Sequence, residues 1–563
     1  LSLGLNSGGS EVLSWRQVNL VRLSDDLQTI VPNVARAWEW GKEQRSLTVH
    51  LRKGHRWSDG HPFTAADVVF FFNEIVRHPE IHEKPPSGWT AGGEPVMAKR
   101  VDETTVRFEF AAPFPAFLTY LATSGSYFAP YAPRHVLAPL HIRHNRNADK
   151  EAKAAGHEDW VSRFRLYWNK WKDELYDTEE SLVVPTLDSH VLAAAPTEEE
   201  RRFVPNPYYF KVDSSGQQLP FIEIHHERFV PKELFVLEIV SGKVDQKAQN
   251  LGFGEYRELK DNENEGGYVL QLPTGGGGIY LAFNQTHKDP VKQKIFSDPR
   301  FLAAMSVAID RQALNLIRVQ GFAQITQGLP EKTSFVTEAH RKHNTEFDPE
   351  RANRLLDEIG LERSSSGMRL LPDGRPLVID WAYSRQFAGT PELPRRIADN
   401  WANLGVETRL SEITTDESRK RAWANDMDIN MEWDVPFEPN LIGDPYLFVP
   451  PYSNLGPLFG VPWKKWMDSD GAAGEEPPDW VKRLYALAEE WRTVQPGSAR
   501  YREIGTEMVQ INLERMTIIG VLGLAPSPTV VSKRLKNVTD WTINHYNYAR
   551  TYPFRPDQWF FAE

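Results

Sequence analysis

The sequence predicts an α/β protein with two or three domains, and three observations carry that expectation. Strand-like and helix-like periods alternate through about the first 135 residues. The chain has 563 residues, enough for several large cores. Its 40% hydrophobic and 25% charged residues are the proportions of a globular protein.

The clearest local signal runs from Leu47 to Phe72. Leu47, Val49 and Leu51 alternate with Thr48 and His50, the period of a half-buried strand. Ser58-Asp59-Gly60 reads as a turn, and Pro62 holds off a helix. Thr64 then sits where an N-cap belongs, with Asp67 three residues later and an apolar run behind it. The same logic applies at Phe347-Asp348-Pro349, where Asp348 caps and Pro349 takes the first helical position.

Composition excludes several classes. Net charge is −11 and no long Lys/Arg block occurs, which argues against a nucleic-acid partner. There is no cysteine, so thiol chemistry, disulfides and Cys-based metal sites are all absent. No apolar run reaches 18 residues, so no membrane-spanning helix is expected. The chain starts at Leu1 without a visible signal peptide, which suggests a processed form whose lipid anchor could have been upstream. No internal repeat is found.

Six motifs in order carry a family resemblance. They are Leu51-Arg52-Lys53-Gly54 with Trp57-Ser58-Asp59-Gly60 and Pro62-Phe63-Thr64-Ala65; the strand 101–108; Ser241-Gly242-Lys243-Val244-Asp245; Tyr280-Leu281-Ala282-Phe283-Asn284; Ala308-Ile309-Asp310-Arg311; and Phe347-Asp348-Pro349 with Leu355-Leu356. Together they resemble the family 5 extracytoplasmic solute-binding proteins of dipeptide, oligopeptide and nickel ABC importers. Asn206-Pro207-Tyr208-Tyr209-Phe210-Lys211-Val212-Asp213 is similar to a hairpin of the larger-bodied branch that includes α-galactoside and other oligosaccharide binders.

The resemblance implies an α/β periplasmic-binding-protein fold: two lobes, a hinge, and an extra subdomain in the first lobe. Lobe I would be 1–274, including a charged, Trp-rich insertion with Trp160, Trp168 and Trp171. Lobe II would be 279–524, and 525–563 would return to lobe I. Gly275 to Gly278 and Ala525-Pro526-Ser527-Pro528 would be the two hinge crossings, the glycine run being the most flexible short segment available. The resemblance also implies a periplasmic or anchored extracellular location, a membrane permease as partner, a monomer, and a ligand held in an interlobe cleft.

Candidate ligand residues come from strand ends and aromatics. The 18 Trp tilt the ligand toward a carbohydrate, since aromatic rings stack on sugar faces. Met431-Glu432-Trp433-Asp434-Val435-Pro436 closes a short strand, and binding residues concentrate where strands end. Trp433 would be a stacking floor and Asp434 an acceptor for hydroxyls; alternatively Trp433 packs inward. In peptide-binding relatives an Asp near Asp434 pairs with the ligand amino terminus, but Val-Pro-Phe-Glu-Pro here replaces the family's glycine-rich spacing. Trp381, Tyr383 and Arg385 form a second strand end, where Arg385 would meet a ligand carboxylate or cap a surface loop. From the first lobe the candidates are Asn6, Ser10 to Trp15, Ser126, Tyr127, and Trp89 as platform or lobe contact.

The expected ligand is a small oligosaccharide such as an α-galactoside, with a peptide or opine as the alternative. A glycoside hydrolase is the competing class. No Gly-x-Ser-x-Gly elbow, His-Glu-x-x-His or dinucleotide fingerprint stands in a suitable context, so the chain reads as no enzyme. No cofactor is implied. Asp261 to Gly266 reads as a charged turn, not a calcium loop. His50, His55 and His61 read as strand and turn residues, not metal ligands.

Overall fold

The computed structural model describes every residue except 5–10, 12–17, 124–129, 169–178, 276, 331–332, 436, 444, 453–455, 457, 541–542, 545–553 and 563, and leaves out the side chains of Ser87, Thr123, Ser181, Asp434 and Asn440. The chain forms two compact units, Leu1–Pro273 with Ser527–Glu563, and Thr274–Pro526.

In the first unit a four-stranded antiparallel sheet has the order Ala35–Trp40, Ser46–Leu51, Thr105–Glu109, Met97–Arg100. Leu47, Val49 and Leu51 are buried, as their alternation requires. The helix Ala65–Phe70 starts with a complete capping box: Thr64 accepts from Ala66 N, and Asp67 accepts from Thr64 N at 2.8 Å. It continues into Phe71 and Phe72, whose rings pack on Trp89, Phe108 and Phe117.

A seven-stranded mixed sheet is the other large sheet of this unit. Its order is His190–Leu192, Glu200–Pro205, His225–Phe229, Ser2–Gly4, Gln246–Lys247, Thr529–Ser532, Tyr268–Gln271. The returning strand Thr529–Ser532 therefore sits inside the sheet, antiparallel to both neighbours.

The second unit is built on the strand Gly277–Phe283, flanked antiparallel by Ile429–Asp434 and Ile519–Leu522. Val378–Ser384 pairs parallel with Glu407–Ile413. Asp289, Asp298 and Asp348 each cap a helix that begins with proline. Fully buried Arg311, from the Ile309-Asp310-Arg311 motif, donates to Gly520 O and to Ser306 O and Oγ; burial depresses its guanidinium to about 9.

The glycine run departs from the flexible linker expected of it. Thr274–Gly275 is strand, and Gly277 and Gly278 open the central strand of the second unit. A Cβ on Gly278 would lie 2.6 Å from Val435 Cγ2, so glycine there serves close packing. At the passages between units, Gly275 N donates to Ala525 O at 3.0 Å and Ser527 N to Pro273 O at 3.0 Å. Thr274 bridges Pro526 antiparallel.

Candidate functional site

The strand Ile429–Asp434 is buried on both faces from Ile429 to Glu432. Met431 is buried in the core and so is Glu432, whose carboxylate meets the Arg419 guanidinium at 2.9 Å. Arg419, facing it, offsets part of the cost of burying Glu432. Arg419 also lies over the Phe387 ring at 5.3 Å, from the short helix Arg385–Ala388. Trp433 follows, half-buried, and the backbone of Asp434 stands opposite Gly277. Val435 then packs on Gly278.

The parallel strand Val378–Ser384 delivers the second group. Tyr383 is buried, and burial first, then the Glu412 charge, holds its phenol above the ordinary value. Arg385 opens the next helix and pairs with Glu412 at 2.9 Å, both side chains exposed. Phe387 links the two groups through Arg419, so Trp433, Glu432, Tyr383 and Arg385 belong to one neighbourhood of the second unit.

Below this lies a buried polar network. Asp428 receives His287 Nε2 at 2.9 Å, Lys292 Nζ at 2.7 Å and Asp380 N at 2.9 Å. Burial pushes the Asp428 carboxyl up, but the His287 and Lys292 hydrogen bonds outweigh it and hold it below the usual range. Asp428 ties the strand holding Asp380 to the one that carries Trp433.

Two candidate ligand residues are corrected. Trp381 is fully buried, its ring 5.7 Å from that of Trp401, and is a core residue rather than the ligand contact expected at that strand end. Trp89 is also buried, edge-on to Phe72 at 5.2 Å and to Tyr120 at 4.6 Å, which makes it part of the first unit's aromatic core. Arg385 takes the Glu412 partner and starts a helix where a loop was expected. Asn6, Ser10, Trp15, Ser126, Tyr127 and the Asp434 side chain lie outside the described residues.

Sequence reasoning missed Arg419, and it gave no role to Glu432 or to Glu11, although both lie inside candidate stretches. Glu11 is fully buried in the first unit, bound by Lys247 Nζ at 2.8 Å and by the backbone N–H groups of Ala248 and Gln249. A lone acid such as Glu11 gives no local signal, because its partner Lys247 is far away in sequence.

Among the described residues Glu74, His141 and His144 bring possible metal-ligand atoms within 4.8 Å. Both His141 nitrogens are engaged, Nε2 at 3.0 Å from Glu74 O and Nδ1 accepting from Arg143 N. The Arg143 guanidinium occupies the Glu74 carboxylate at 3.1 Å. That arrangement suits a packed charge cluster better than a cation. No helix among the described residues is long and apolar enough to cross a membrane.

Comparison with known proteins adds the following. Residues 29–452 match the family described as "Bacterial extracellular solute-binding proteins, family 5 Middle". The chain is 28% identical over 446 residues to a periplasmic alpha-galactoside-binding protein of Rhizobium meliloti (strain 1021), covering 75% of this chain and 59% of that one. It is 24% identical over 429 residues to a dipeptide-binding protein of Escherichia coli (strain K12), covering 72% and 67%. The chain spans about three fifths of the length of the first curated relatives it matches, 59% and 61%. Among solved structures, the oligopeptide-binding protein OppA superposes with a TM-score of 0.75 at 28% identity, covering 100% of this chain and 90% of that one. The periplasmic binding protein MelB of Agrobacterium fabrum C58, solved with stachyose, gives 0.73 at 22%, covering 99% and 81%. These likenesses show the fold, the two-lobed α/β fold of periplasmic binding proteins.

Proposed function

The chain belongs to family 5 of the bacterial extracellular solute-binding proteins, and on that premise we propose that it is the ligand-binding receptor of an ABC importer, taking a small oligosaccharide of the α-galactoside kind. The observation that carries the ligand class is the 28% identity over 446 residues to an alpha-galactoside-binding protein. Trp433 at the end of its strand supplies a ring for the apolar face of a sugar. Asp434 beside it supplies a carboxylate for hydroxyl hydrogens, each such bond contributing roughly 1.5–3 kcal/mol.

The family is one of binding proteins, not enzymes, and we infer no turnover of the bound sugar. The receptor works as a monomer in the periplasm and passes its ligand to a membrane permease. The hinge reading rests on the paired passages at Pro273–Gly275 and Ala525–Ser527, and the insertion at 141–200 is the extra subdomain.

Titration of intrinsic Trp fluorescence with raffinose-type sugars, and separately with tri- to pentapeptides, tests the reading. Sugar binding is expected, weakened about tenfold or more in Asp434→Ala and comparably in Trp433→Ala, since 1.4 kcal/mol is a factor of ten. Binding of peptides alone retires it, as does sugar binding unchanged in Asp434→Ala. The peptide reading has its own support in the 28% identity to OppA over the whole chain. It requires Arg385 to leave Glu412 for a ligand carboxylate, and it predicts an affinity that falls steeply with salt.

A further inference from the structure

We propose that Glu438 is a positioning residue for ligand binding: its carboxylate, clamped on Ser334, fixes the chain just after the strand end that presents Trp433. The inference rests on the reading of Trp433 as a ligand contact. Glu438 opens the helix Glu438–Gly443. Its Oε2 accepts from Ser334 N at 3.0 Å and its Oε1 from Ser334 Oγ at 3.3 Å. Only Val435, Pro436 and Phe437 separate Glu438 from Asp434, whose backbone stands opposite Gly277.

Both ends of that short span are anchored, which is the main observation. On one side the strand Ile429–Asp434 is paired with Gly277–Phe283, and buried Val435 packs on Gly278. On the other side the anchor is Ser334, which is itself held. Its neighbour Phe335 is buried, with its ring 5.7 Å from Trp491 and 6.0 Å from Phe448. A Cβ on Gly505 would lie 2.7 Å from Phe335 Cγ, so the ring is seated close against the helix Ala499–Arg515. Thr333 Oγ1 accepts from Val336 N at 3.0 Å and closes the turn around it. Trp491 stacks on Tyr501 at 4.7 Å, and its Nε1 donates to Tyr501 O at 3.0 Å. The Glu438 carboxylate thus ties the strand end to a rigid aromatic layer.

The chemistry suits a clamp. A carboxylate that accepts from a backbone N–H makes a charge-assisted bond, stronger than one between neutral groups. Two acceptor oxygens on the N–H and hydroxyl of one residue also fix a direction, which a single bond does not. Ser334 is exposed and Glu438 half-buried, so the contact carries no core; buried Val435 and Phe437 do that. Loss of the Glu438 carboxylate therefore loosens the chain beside Trp433 without unfolding it. The buried Tyr501 phenol is held well above its ordinary value, by burial first and then by the Glu438 charge, which sets that carboxylate beside the same aromatic layer. Positioning of this kind acts on affinity, because a ring already in place costs less to order when ligand arrives.

Two readouts on the full chain test it. Grown with fluorotryptophan, the chain gives a fluorine NMR resonance for each of its 18 Trp, and Trp433→Phe and Trp559→Phe identify two of them. Without ligand, Glu438→Ala moves or broadens the Trp433 resonance and leaves that of Trp559, in the first unit, where it was. Glu438→Gln restores it, since the amide oxygen accepts from Ser334 N and the amide nitrogen donates to Ser334 Oγ. Raffinose affinity, read by Trp fluorescence, falls about tenfold in Glu438→Ala, the lower end for a hydrogen bond to a charged group, and stays within about twofold in Glu438→Gln. Ser334→Ala removes only the hydroxyl and costs less; added to Glu438→Ala it costs nothing further, because both act through one contact. A Trp433 resonance unmoved in Glu438→Ala overturns the proposal, as does raffinose affinity unchanged in that variant. A Gln variant as weak as the Ala variant, or additive losses in the double variant, overturns it too. So does a urea midpoint that falls in step with affinity, which would make Glu438 a contact of the fold alone. Failure of raffinose to bind the unmodified chain strikes the sugar reading, and the Trp433 resonance then decides the clamp by itself.

Discussion

His55 carries a pH dependence that its neighbours make unavoidable. It is buried against Phe63 and Phe210, and neither ring nitrogen has a hydrogen-bond partner among the described residues. Burial, and then the charge of Arg52, lower it to about 4 from an ordinary 6.5. The folded imidazole is therefore neutral where the unfolded one takes up a proton. Its contribution to stability is complete above pH 6.5, falls as pH drops toward 4, and changes no further below that. A shift of this size is worth about 3 kcal/mol at most. Urea unfolding of His55→Leu across pH 4 to 7 should give a flatter stability profile than the unmodified chain. Parallel profiles would show that the folded state lets the ring charge.

At the scale of elements, the strand Ile519–Leu522 holds the second unit's sheet to its helices. Gly520 O accepts two of the Arg311 bonds, at 2.9 and 2.8 Å, and Gly520 N donates to Gln327 Oε1 at 2.5 Å. A Cβ on Gly520 would lie 2.1 Å from the backbone carbon of Gln327 and 2.3 Å from Thr326 O. Backbone cannot yield as a flexible side chain can, so Gly520→Ala should destabilise the chain by about 3 kcal/mol or more. Gly254→Ala, with open space around it, should stay within about 0.5 kcal/mol. Equal denaturation midpoints for the two variants would refute the packing argument. The elements themselves were legible because their signals are local. The Leu47–Leu51 alternation, the Thr64 cap and the Asp-Pro starts each lie within a few residues. The site was legible only as a set of strand ends. Whether a tryptophan at a strand end faces ligand or core depends on distant partners: Trp381 is covered by Trp401, Trp89 by Phe72 and Phe117. The Glu432–Arg419 pair likewise joins a strand to a helix that precedes it in the chain, and no spacing rule announces it. The packing role inside the glycine run was hidden for the same reason, since Val435 is what makes Gly278 a packing residue.

On the scale of the whole molecule, the first unit is discontinuous in sequence, and its last piece is structural. Thr529–Ser532 lies between Gln246–Lys247 and Tyr268–Gln271 and hydrogen-bonds to both. Val530 is buried with Leu3, Phe235, Ile239, Tyr268 and Leu270. Val531, Leu535, Phe554 and Trp559 close a second cluster with Ile222 and Ala248. Removing 527–563 would leave Tyr268–Gln271 without its partner strand and open both clusters to water. The second unit, by contrast, is one continuous segment whose sheet uses none of those residues. A chain ending at Pro526 should therefore lose hydrogen-exchange protection at Tyr268–Gln271 and through the first unit's mixed sheet. The strand Gly277–Phe283 and the helix Pro349–Glu358 should keep theirs. Trp559→Ala in the full chain is the milder version of the same test, expected to cost about 3–5 kcal/mol through the cavity it leaves. If the shortened chain still protects Tyr268–Gln271, the returning strand is an accessory, and the first unit's sheet can close without it.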